Sequence, residues 1–385
     1  MENTQNFILK NIMLQVALSL FVFLTLWWLF IKPLSGGVLV SFKHFWSSVY
    51  VAMPLLGGIY GFVISKAFGG RKSVLGKMIL AFSLGLFLQA FGQIIYTYYL
   101  WSLQIEAPYP SLGDMGYFGS IFAYIYGIFI LARYIGVTIS FRSFLNKIPT
   151  IVIPFIMLTF SYFTFLKGYK FDFSNFLKIF LDFGYPIFQA FYVSLALLVL
   201  FFSKKSLGGV LRKPVLLLVF ALIIQYISDS YFIYTANNGT WYLGGIGDYF
   251  YLVSYFAMTL VIIYIGDTFE KIRLESSKIK TAYSETDADN DLEKLFNQIL
   301  TEIIKRQVRI AGPLGWQEVR KVASVSIINE ESVVVSMVGD PKKTIDELIY
   351  RYKNFFGDIA VKVSKNAAYH LIMKLPPEEV PDSLR

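Results

Sequence analysis

The stretch APYPSLGDMGYF, residues 107–118, follows one long apolar run and leads into another, and YLGGIGDYFYL, residues 242–252, repeats part of its pattern. Asp114 and Asp248 are each preceded by Gly and followed three positions later by Tyr, and they lie 134 positions apart. Each stretch leads into an apolar run long enough to cross a bilayer. The pattern therefore predicts an Asp at the head of two equivalent membrane helices.

The composition is typical of a membrane protein. Of 385 residues, 56% are hydrophobic and 16% are charged, which leaves too little polar surface for a soluble globular protein of this size. The absence of Cys excludes disulfides, thiolate metal sites and cysteine nucleophiles. Two histidines, His44 and His370, are too few to favour a His-based metal or haem site. We therefore expect no metal and no cofactor.

Hydropathy predicts eight membrane spans. They lie near residues 11–31, 46–66, 78–101, 115–133, 149–166, 180–202, 214–235 and 246–266. Lys and Arg are concentrated in alternate connections, such as KAFGGRKSVLGK and SKKSLGGVLRK, whereas SLQIEAPYPSLGD and ANNGTWYLGGIGD contain neither. The positive-inside rule then predicts a multi-pass protein of the cell membrane with both termini in the cytoplasm. This distribution explains the net charge of +9 by contact with the lipid bilayer, so we expect no nucleic-acid partner.

Tryptophans lie at the predicted outer ends of the spans. They are Trp27, Trp28, Trp46, Trp101 and Trp241. Amphipathic indole rings favour the headgroup level of a bilayer, so this one-sided distribution predicts interfacial anchors.

A second correspondence supports an internal repeat. The segment PLLGGIY, from Pro54 to Tyr60, aligns with PIFQAFY, from Pro186 to Tyr192, which lies 132 positions later. Together the two matches predict two four-helix halves, about 11–133 and 149–266. Because four is an even number of spans, both halves have the same orientation and form parallel repeats. Chance similarity between aromatic-rich helices is the competing explanation.

Two roles are open for the repeated Asp residues. A carboxylate at a helix start can cap backbone N–H groups and suits the positive end of the helix dipole. Alternatively, both carboxylates line an outward-facing cavity between the halves, because ionisable groups within a span are costly unless they have a function. The candidate pocket consists of Asp114, Asp248, Asp182, Gln189, Gln93, Asp229, Tyr117 and Tyr251. We predict no catalytic residue among them.

Three segments carry a resemblance to a known module. They are PYPSLGDMGYF, DFGYPIFQAFYVSLALL and SDSYFIYTANNGTWYLGGIGDYFYLVSY. Through these segments the chain resembles the eight-helix membrane module of prokaryotic signalling receptors, and the resemblance covers about residues 11–266. In those receptors the module precedes PAS, diguanylate cyclase, phosphodiesterase or histidine kinase domains. The resemblance implies a sensor or scaffold by analogy of architecture.

The resemblance extends to single residues and also has departures. The pattern Pro-Ser-Leu-x-Asp at the fourth helix matches Pro110, Ser111, Leu112 and Asp114; the other matches are Tyr185 with Pro186, Asp229 and Asp248. The module usually has acidic residues where this chain has Gln93 and Gln189. If those carboxylates serve sensing, we expect this chain to respond differently or not at all.

The composition changes after the last span. Residues 267–289 are charged and predict a helical connector that ends in a flexible linker. Residues 290–385 predict a small cytoplasmic α+β domain.

Within that domain we expect an amphipathic helix over 290–310, a short helix in WQEVRKV, two strands around NEE, a helix that starts at Asp340 and Pro341, and a final helix. No cyclase signature or ATP-binding motif is present. We therefore expect this domain to bind a cytoplasmic protein. The sequence leaves open whether the chain forms a homo-oligomer.

Three functions are compatible with this sequence. The favoured one is a non-catalytic, receptor-like membrane sensor. A transporter or lipid-handling protein would use the cleft between the repeats, and an integral-membrane enzyme would use Asp114 and Asp248 as acid and base. We expect the middle of the membrane to be almost free of polar groups, which favours an outward-facing pocket over a route through the bilayer.

Overall fold

The computed structural model describes residues 12–31, 37–105, 107–134, 144–167, 169, 171, 173–202, 212–278, 292–311, 313–330, 333–356 and 358–385. In these ranges the chain is mostly helical and contains one two-stranded sheet. The apolar part consists of α1 (Ile12–Ile31), α2 (Gly37–Val49), α3 (Ala52–Ala67), α4 (Val74–Trp101), α5 (Gly113–Tyr134), α6 (Phe144–Ser161), α7 (Phe176–Phe202), α8 (Arg212–Asn237) and α9 (Ile246–Lys278).

Seven stretches in the described residues are long and apolar enough to cross a bilayer, as in a multi-pass membrane protein. They are Ile12–Phe30, Phe42–Ala67, Val74–Trp101, Gly113–Ala132, Phe176–Phe201, Lys213–Asn237 and Ile246–Asp267. The second combines most of α2 with α3. A shorter apolar helix, Ile148–Thr164, occupies the position of the span predicted over 149–166. Its α-helical part, α6, continues into a π-helical turn, Tyr162–Leu166.

Six of these helices form two trios with the same neighbour order. In the first trio, α4 packs against α3 and α5, and in the second trio, α8 packs against α7 and α9. The trios meet where α3 packs against α9 and where α7 packs against α5. Since α3, α4 and α5 correspond in order to α7, α8 and α9, these two contacts are equivalent. The outer helices do not follow this exchange, because α1 packs mainly on α9 whereas α6 packs on α7.

The helices α4 and α5 approach most closely at two glycines. A Cβ atom built on Gly116 would lie 2.4 Å from the backbone oxygen of Leu88, and one built on Gly92 would lie 2.8 Å from the backbone oxygen of Gly113. Backbone atoms cannot rotate away, so these positions require glycine. The close approach brings the polar residues of α4 and α5 into contact.

The C-terminal tail domain, residues 292–385, has the predicted types of element. It consists of α10 (Leu292–Ala311), α11 (Pro313–Val319), β1 (Val325–Asn329), β2 (Val334–Met337), α12 (Pro341–Phe356) and α13 (Asp358–Ile372), followed by two short 3₁₀ turns. The strands pair antiparallel, with Ser326 opposite Ser336. The short helix begins at Pro313, three residues earlier than predicted, because proline is well suited to the first turn of a helix.

Asp340 explains why α12 starts where the sequence predicts. Its Oδ1 accepts hydrogen bonds from the backbone N–H groups of Lys343 and Lys342, at 3.3 and 3.0 Å. These bonds favour the ionised carboxylate and hold the pKa of Asp340 below its usual value.

The aspartate end of the membrane helices carries the connections 102–112 and 238–245. The tail end is the opposite end, where the tail domain lies. There α12 packs against α4 and α13 packs against α9. The first part of the predicted connector continues α9 as a helix to Lys278, and residues 279–291 lie outside the described ranges.

Two tryptophans correct the prediction of interfacial anchors. Trp28 and Trp46 are buried, and their Nε1–H groups donate to the backbone oxygens of Gly244 and Leu24, at 2.9 and 2.8 Å. The prediction is wrong for these two side chains, which hold α1 against neighbouring segments. Trp101, in contrast, is about half exposed.

Candidate functional site

A cavity of about 310 Å³ lies at the aspartate end, between the two trios. Its lining comes from α4, α5, α7, α8 and α9, from the loops around residues 107–111 and 239–241, and from Tyr50 between α2 and α3. Six of the eight predicted pocket residues line it, namely Gln93, Asp114, Tyr117, Asp229, Asp248 and Tyr251. The other two, Asp182 and Gln189, do not line it but hydrogen-bond residues that do.

Asp114 serves both as a helix-start residue and as a cavity residue. Its Oδ2 accepts from the backbone N–H of Ser111 at 2.7 Å, while the Ser111 hydroxyl accepts from the backbone N–H of Gly113 at 3.1 Å. This reciprocal arrangement resembles a capping box. Its Oδ1 accepts from the hydroxyl of Tyr185 on α7 at 2.9 Å, which joins the two trios.

Asp248 has a similar arrangement at the start of α9. Its Oδ2 accepts from the backbone N–H of Gly244 at 2.7 Å and from the Ser47 hydroxyl at 3.1 Å. In both trios the carboxylate thus binds a backbone N–H three or four residues before it, rather than one in the first turn as a simple cap would. The carboxylates that fix the chain at the two helix starts therefore also form part of the cavity wall.

Asp229 is the most deeply buried of the three carboxylates that line the cavity. Its Oδ1 accepts from the hydroxyl of Tyr251 at 2.7 Å. Its Oδ2 accepts from the Nε2 amides of Gln225, at 2.8 Å, and of Gln189. Three neutral donors from α7, α8 and α9 thus surround this carboxylate, as a buried charge requires.

Gln93 takes the corresponding position in the first trio. Its Oε1 accepts from the hydroxyls of Tyr117 and Tyr50, at 2.6 and 2.8 Å, and its Nε2 donates to the backbone oxygen of Ser47 at 2.7 Å. A neutral amide here provides both an acceptor and a donor, and a carboxylate would lack the donor.

Two hydrogen-bonded pairs of residues occupy equivalent positions in the two trios. Tyr117 donates to Gln93 and Tyr251 donates to Asp229. One turn deeper, Gln89 donates to Ser120 at 2.7 Å, and Ser254 donates to Gln225 at 2.8 Å. The serines and tyrosines are each 134 positions apart, and the α4 residues are 136 positions from their partners on α8. The cavity therefore has equivalent residues of both trios in its wall.

The deeper pairs correct one expectation from the sequence. Gln89 and Gln225 are buried and lie near the middle of α4 and α8, and Tyr255 donates to the Oε1 of Gln89 at 2.7 Å. The middle of the bundle is therefore not free of polar groups. A chain of buried hydrogen bonds continues from the cavity toward the centre of the helices.

Asp182 belongs to a separate, partly exposed cluster beside the cavity. It forms a 2.6 Å ion pair with Lys178 and accepts from the hydroxyls of Tyr169 and Tyr109, at 2.7 and 2.8 Å. Burial, together with the nearby Asp182 charge, raises the pKa of Tyr109 well above its usual value, so the phenol stays protonated. Asp182 thereby positions Tyr109, which lines the cavity.

Several cavity residues were not predicted. They include Tyr50 and Trp241. Tyr185 was singled out only through the resemblance. The pairs Gln89–Ser120 and Gln225–Ser254 carry a signal in the sequence, because Ser120 and Ser254 share the 134-residue offset of the two Asp residues. Comparisons with protein families, characterised proteins and solved structures find no match for this chain.

Proposed function

We propose that this chain is a receptor-like membrane protein that binds a ligand in the cavity at the aspartate end and relays the binding to a soluble partner of the tail domain. One observation carries the proposal. The helices α4 and α9 each line the cavity near one end and contact the tail domain at the other. A ligand that shifts either helix therefore acts on the tail domain directly.

The dimensions of α9 support such a relay. At 1.5 Å per residue its 33 residues extend about 50 Å, which exceeds the roughly 30 Å hydrocarbon core of a bilayer. Asp248 and Tyr251 lie in its first two turns, and its far end reaches past the bilayer to α13. No linker has to be ordered between the cavity wall and this contact.

The proposal includes the finer topology of eight spans, with α6 as the fifth. Several α6 side chains are exposed and apolar, such as Ile151 and Phe155, at 68% and 67%. Such a surface favours contact with lipid. The aspartate end then faces outward, both termini lie in the cytoplasm, and the matching hydrogen bonds of the trios support two parallel four-helix repeats. The resemblance to receptor modules agrees with this arrangement.

The experiment is crosslinking mass spectrometry in native membranes with three forms of the protein: wild type, a form that ends at residue 284, and Asp248→Asn. We expect a soluble protein to crosslink to wild type and not to the truncated form. Asp248 lies at the opposite end from the tail domain, so its substitution affects partner binding only through a relay along the helices. If the relay exists, we expect Asp248→Asn to change the crosslinking yield at least twofold. Tyr192→Phe is the control, since this buried hydroxyl has no hydrogen-bond partner among the described residues and does not line the cavity.

A partner captured equally by wild type and Asp248→Asn would contradict the relay and leave the tail as a docking domain. If no form captures a partner, the receptor proposal fails.

A transporter is the second candidate, because buried polar pairs continue from the cavity to the middle of α4 and α8. Its test is efflux from proteoliposomes loaded with any small molecule that co-purifies with the protein. Saturable efflux that Asp248→Asn abolishes and Tyr192→Phe preserves would favour transport over relay.

A further inference from the structure

The lining of the cavity is strongly one-sided in charge. Among the described residues, the lining contains three carboxylates, those of Asp114, Asp229 and Asp248, and no Lys, Arg or His. Asp182, which lies outside the lining, is paired with Lys178. Within the described ranges, none of the three lining carboxylates has an ion-pair partner, so their hydrogen bonds come from hydroxyl, amide and backbone donors. Buried charges are normally paired, and this cavity lacks a positive partner.

The second component of the lining is aromatic. Six tyrosines, one phenylalanine and one tryptophan contribute to the wall. The hydroxyls of Tyr117, Tyr185 and Tyr251 are already donated to Gln93 or to a carboxylate, so they are not free to donate to a ligand. Aromatic rings attract organic cations through their electron-rich faces, and carboxylates strengthen that attraction.

The carboxylates are spread over the wall rather than gathered at one point. In the part of the chain that the structure describes, no three His, Cys, Asp or Glu side chains come close enough together to hold a metal ion. A volume of about 310 Å³ also exceeds that of a single ion and falls at the lower end of the range for small-molecule pockets. The geometry thus favours an organic cation over a metal ion.

We propose that the cavity binds a small organic ammonium compound. The ammonium group takes the place of the missing cation between the carboxylates and the aromatic rings. This assignment deepens the proposed function, on which it rests for its biological meaning, but its test is a binding measurement that does not depend on the tail domain.

The experiment measures binding to the full-length protein in lipid nanodiscs by isothermal titration calorimetry. Three probes of similar shape are compared: choline, its neutral isostere 3,3-dimethylbutan-1-ol, and propyltrimethylammonium, which keeps the charge and lacks the hydroxyl. We expect saturable binding of choline and of propyltrimethylammonium, and at least tenfold weaker binding of the neutral isostere. Because this comparison uses wild type alone, it does not depend on how any variant folds.

Variants then locate the site. Asp114→Asn and Asp248→Asn are each expected to weaken choline binding at least tenfold. Asp267→Asn is the matched control, since it removes a carboxylate from the same helix as Asp248 but roughly 28 Å away at 1.5 Å per residue. Equal binding of choline and its neutral isostere would overturn the assignment, as would the absence of saturable binding of choline and propyltrimethylammonium to wild type.

A spin-label distance separates this assignment from the relay. The chain contains no Cys, so cysteines introduced at the exposed positions Lys72 and Asn354 label only the tail end and α12. If choline binds and this distance stays unchanged, the ligand class holds and the relay fails. If the distance responds to the neutral isostere as strongly as to choline, the relay holds and the ammonium assignment fails.

Discussion

In the first trio Tyr117 donates its hydroxyl to an amide, Gln93, whereas in the second trio the equivalent Tyr251 donates to a carboxylate, Asp229. One further pair corresponds, since Gln89 contacts Ser120 and Gln225 contacts Ser254. The shared bonds are thus properties of the scaffold, and the charge difference is a property of one trio. Substitutions at equivalent positions test this distinction, and one glycine substitution tests the crossing of α4 and α5 within the first trio; they follow from the largest expected effect to the smallest.

The largest effect is expected for Asp229→Ala. The substitution leaves the donors of Tyr251, Gln225 and Gln189 without their acceptor. Each unsatisfied buried donor costs about 1–3 kcal/mol, so we expect a loss of about 3 kcal/mol or more in the free energy of unfolding. The measurement is reversible unfolding in mixed micelles. Gln93→Ala is the comparison, and a loss as large as that of Asp229→Ala would contradict the special role of the second trio.

Gly116→Ala tests the close crossing of α4 and α5. Its Cβ atom would lie 2.4 Å from a backbone oxygen, so the helices must move apart at a cost of about 2 kcal/mol. Gly119→Ala is the control three residues along the same helix, where the nearest atom to the new Cβ is 3.8 Å away and little change is expected. The measurement is the melting temperature of both variants in detergent. Equal melting temperatures would show that the crossing is looser than the structure indicates.

The two tyrosines provide a matched pair. Tyr251→Phe removes a hydrogen bond to a carboxylate, which is worth about 1.5–3 kcal/mol, and Tyr117→Phe removes one to a neutral amide, worth about 0.5–1.5 kcal/mol. We therefore expect the free energy of unfolding to fall further in Tyr251→Phe, by about 1 kcal/mol. Circular dichroism during unfolding gives both values. The reverse order would mean that Asp229 is not ionised in the folded protein.

The smallest effects are expected deeper in the bundle. Ser120→Ala and Ser254→Ala each remove one bond to an equivalent neutral side chain and one to a backbone oxygen. Such bonds between membrane helices are worth about 0.6 kcal/mol on average. We expect the two variants to lose similar amounts of unfolding free energy in the same micelle assay. A difference above about 1.5 kcal/mol would show that the trios diverge at this depth as well.

The positions of the apolar helices could be predicted from the sequence because hydropathy and the cost of bare backbone in lipid determine them. The prediction of 78–101, for example, corresponds to α4, which spans Val74–Trp101. Which side of a helix is buried could not be predicted, because membrane helices are apolar on all sides. Trp28 and Trp46 illustrate this difficulty, since their position at span ends does not distinguish a lipid contact from a buried hydrogen bond.

In the tail domain, by contrast, the buried side of a helix could be predicted from the sequence. In α12 the apolar residues recur at helical spacing among charged ones, and the residues of that stripe, such as Ile345, Leu348 and Tyr352, are buried. Water makes the exposed face polar, so the sequence records which face is inside. In the candidate site, equivalent Asp and Tyr positions could be predicted from the repeat, but partners such as Tyr50 and Ser47 depend on how the helices pack.

The unbroken length of α9 has a mechanical consequence. A rigid rod of about 50 Å that tilts by about 5° around one end moves its other end by about 4 Å. A tilt that moves α9 very little at Asp248 thus moves its far end by about the width of a side chain. The tail domain is therefore attached where the angular motion of the helix produces its greatest travel.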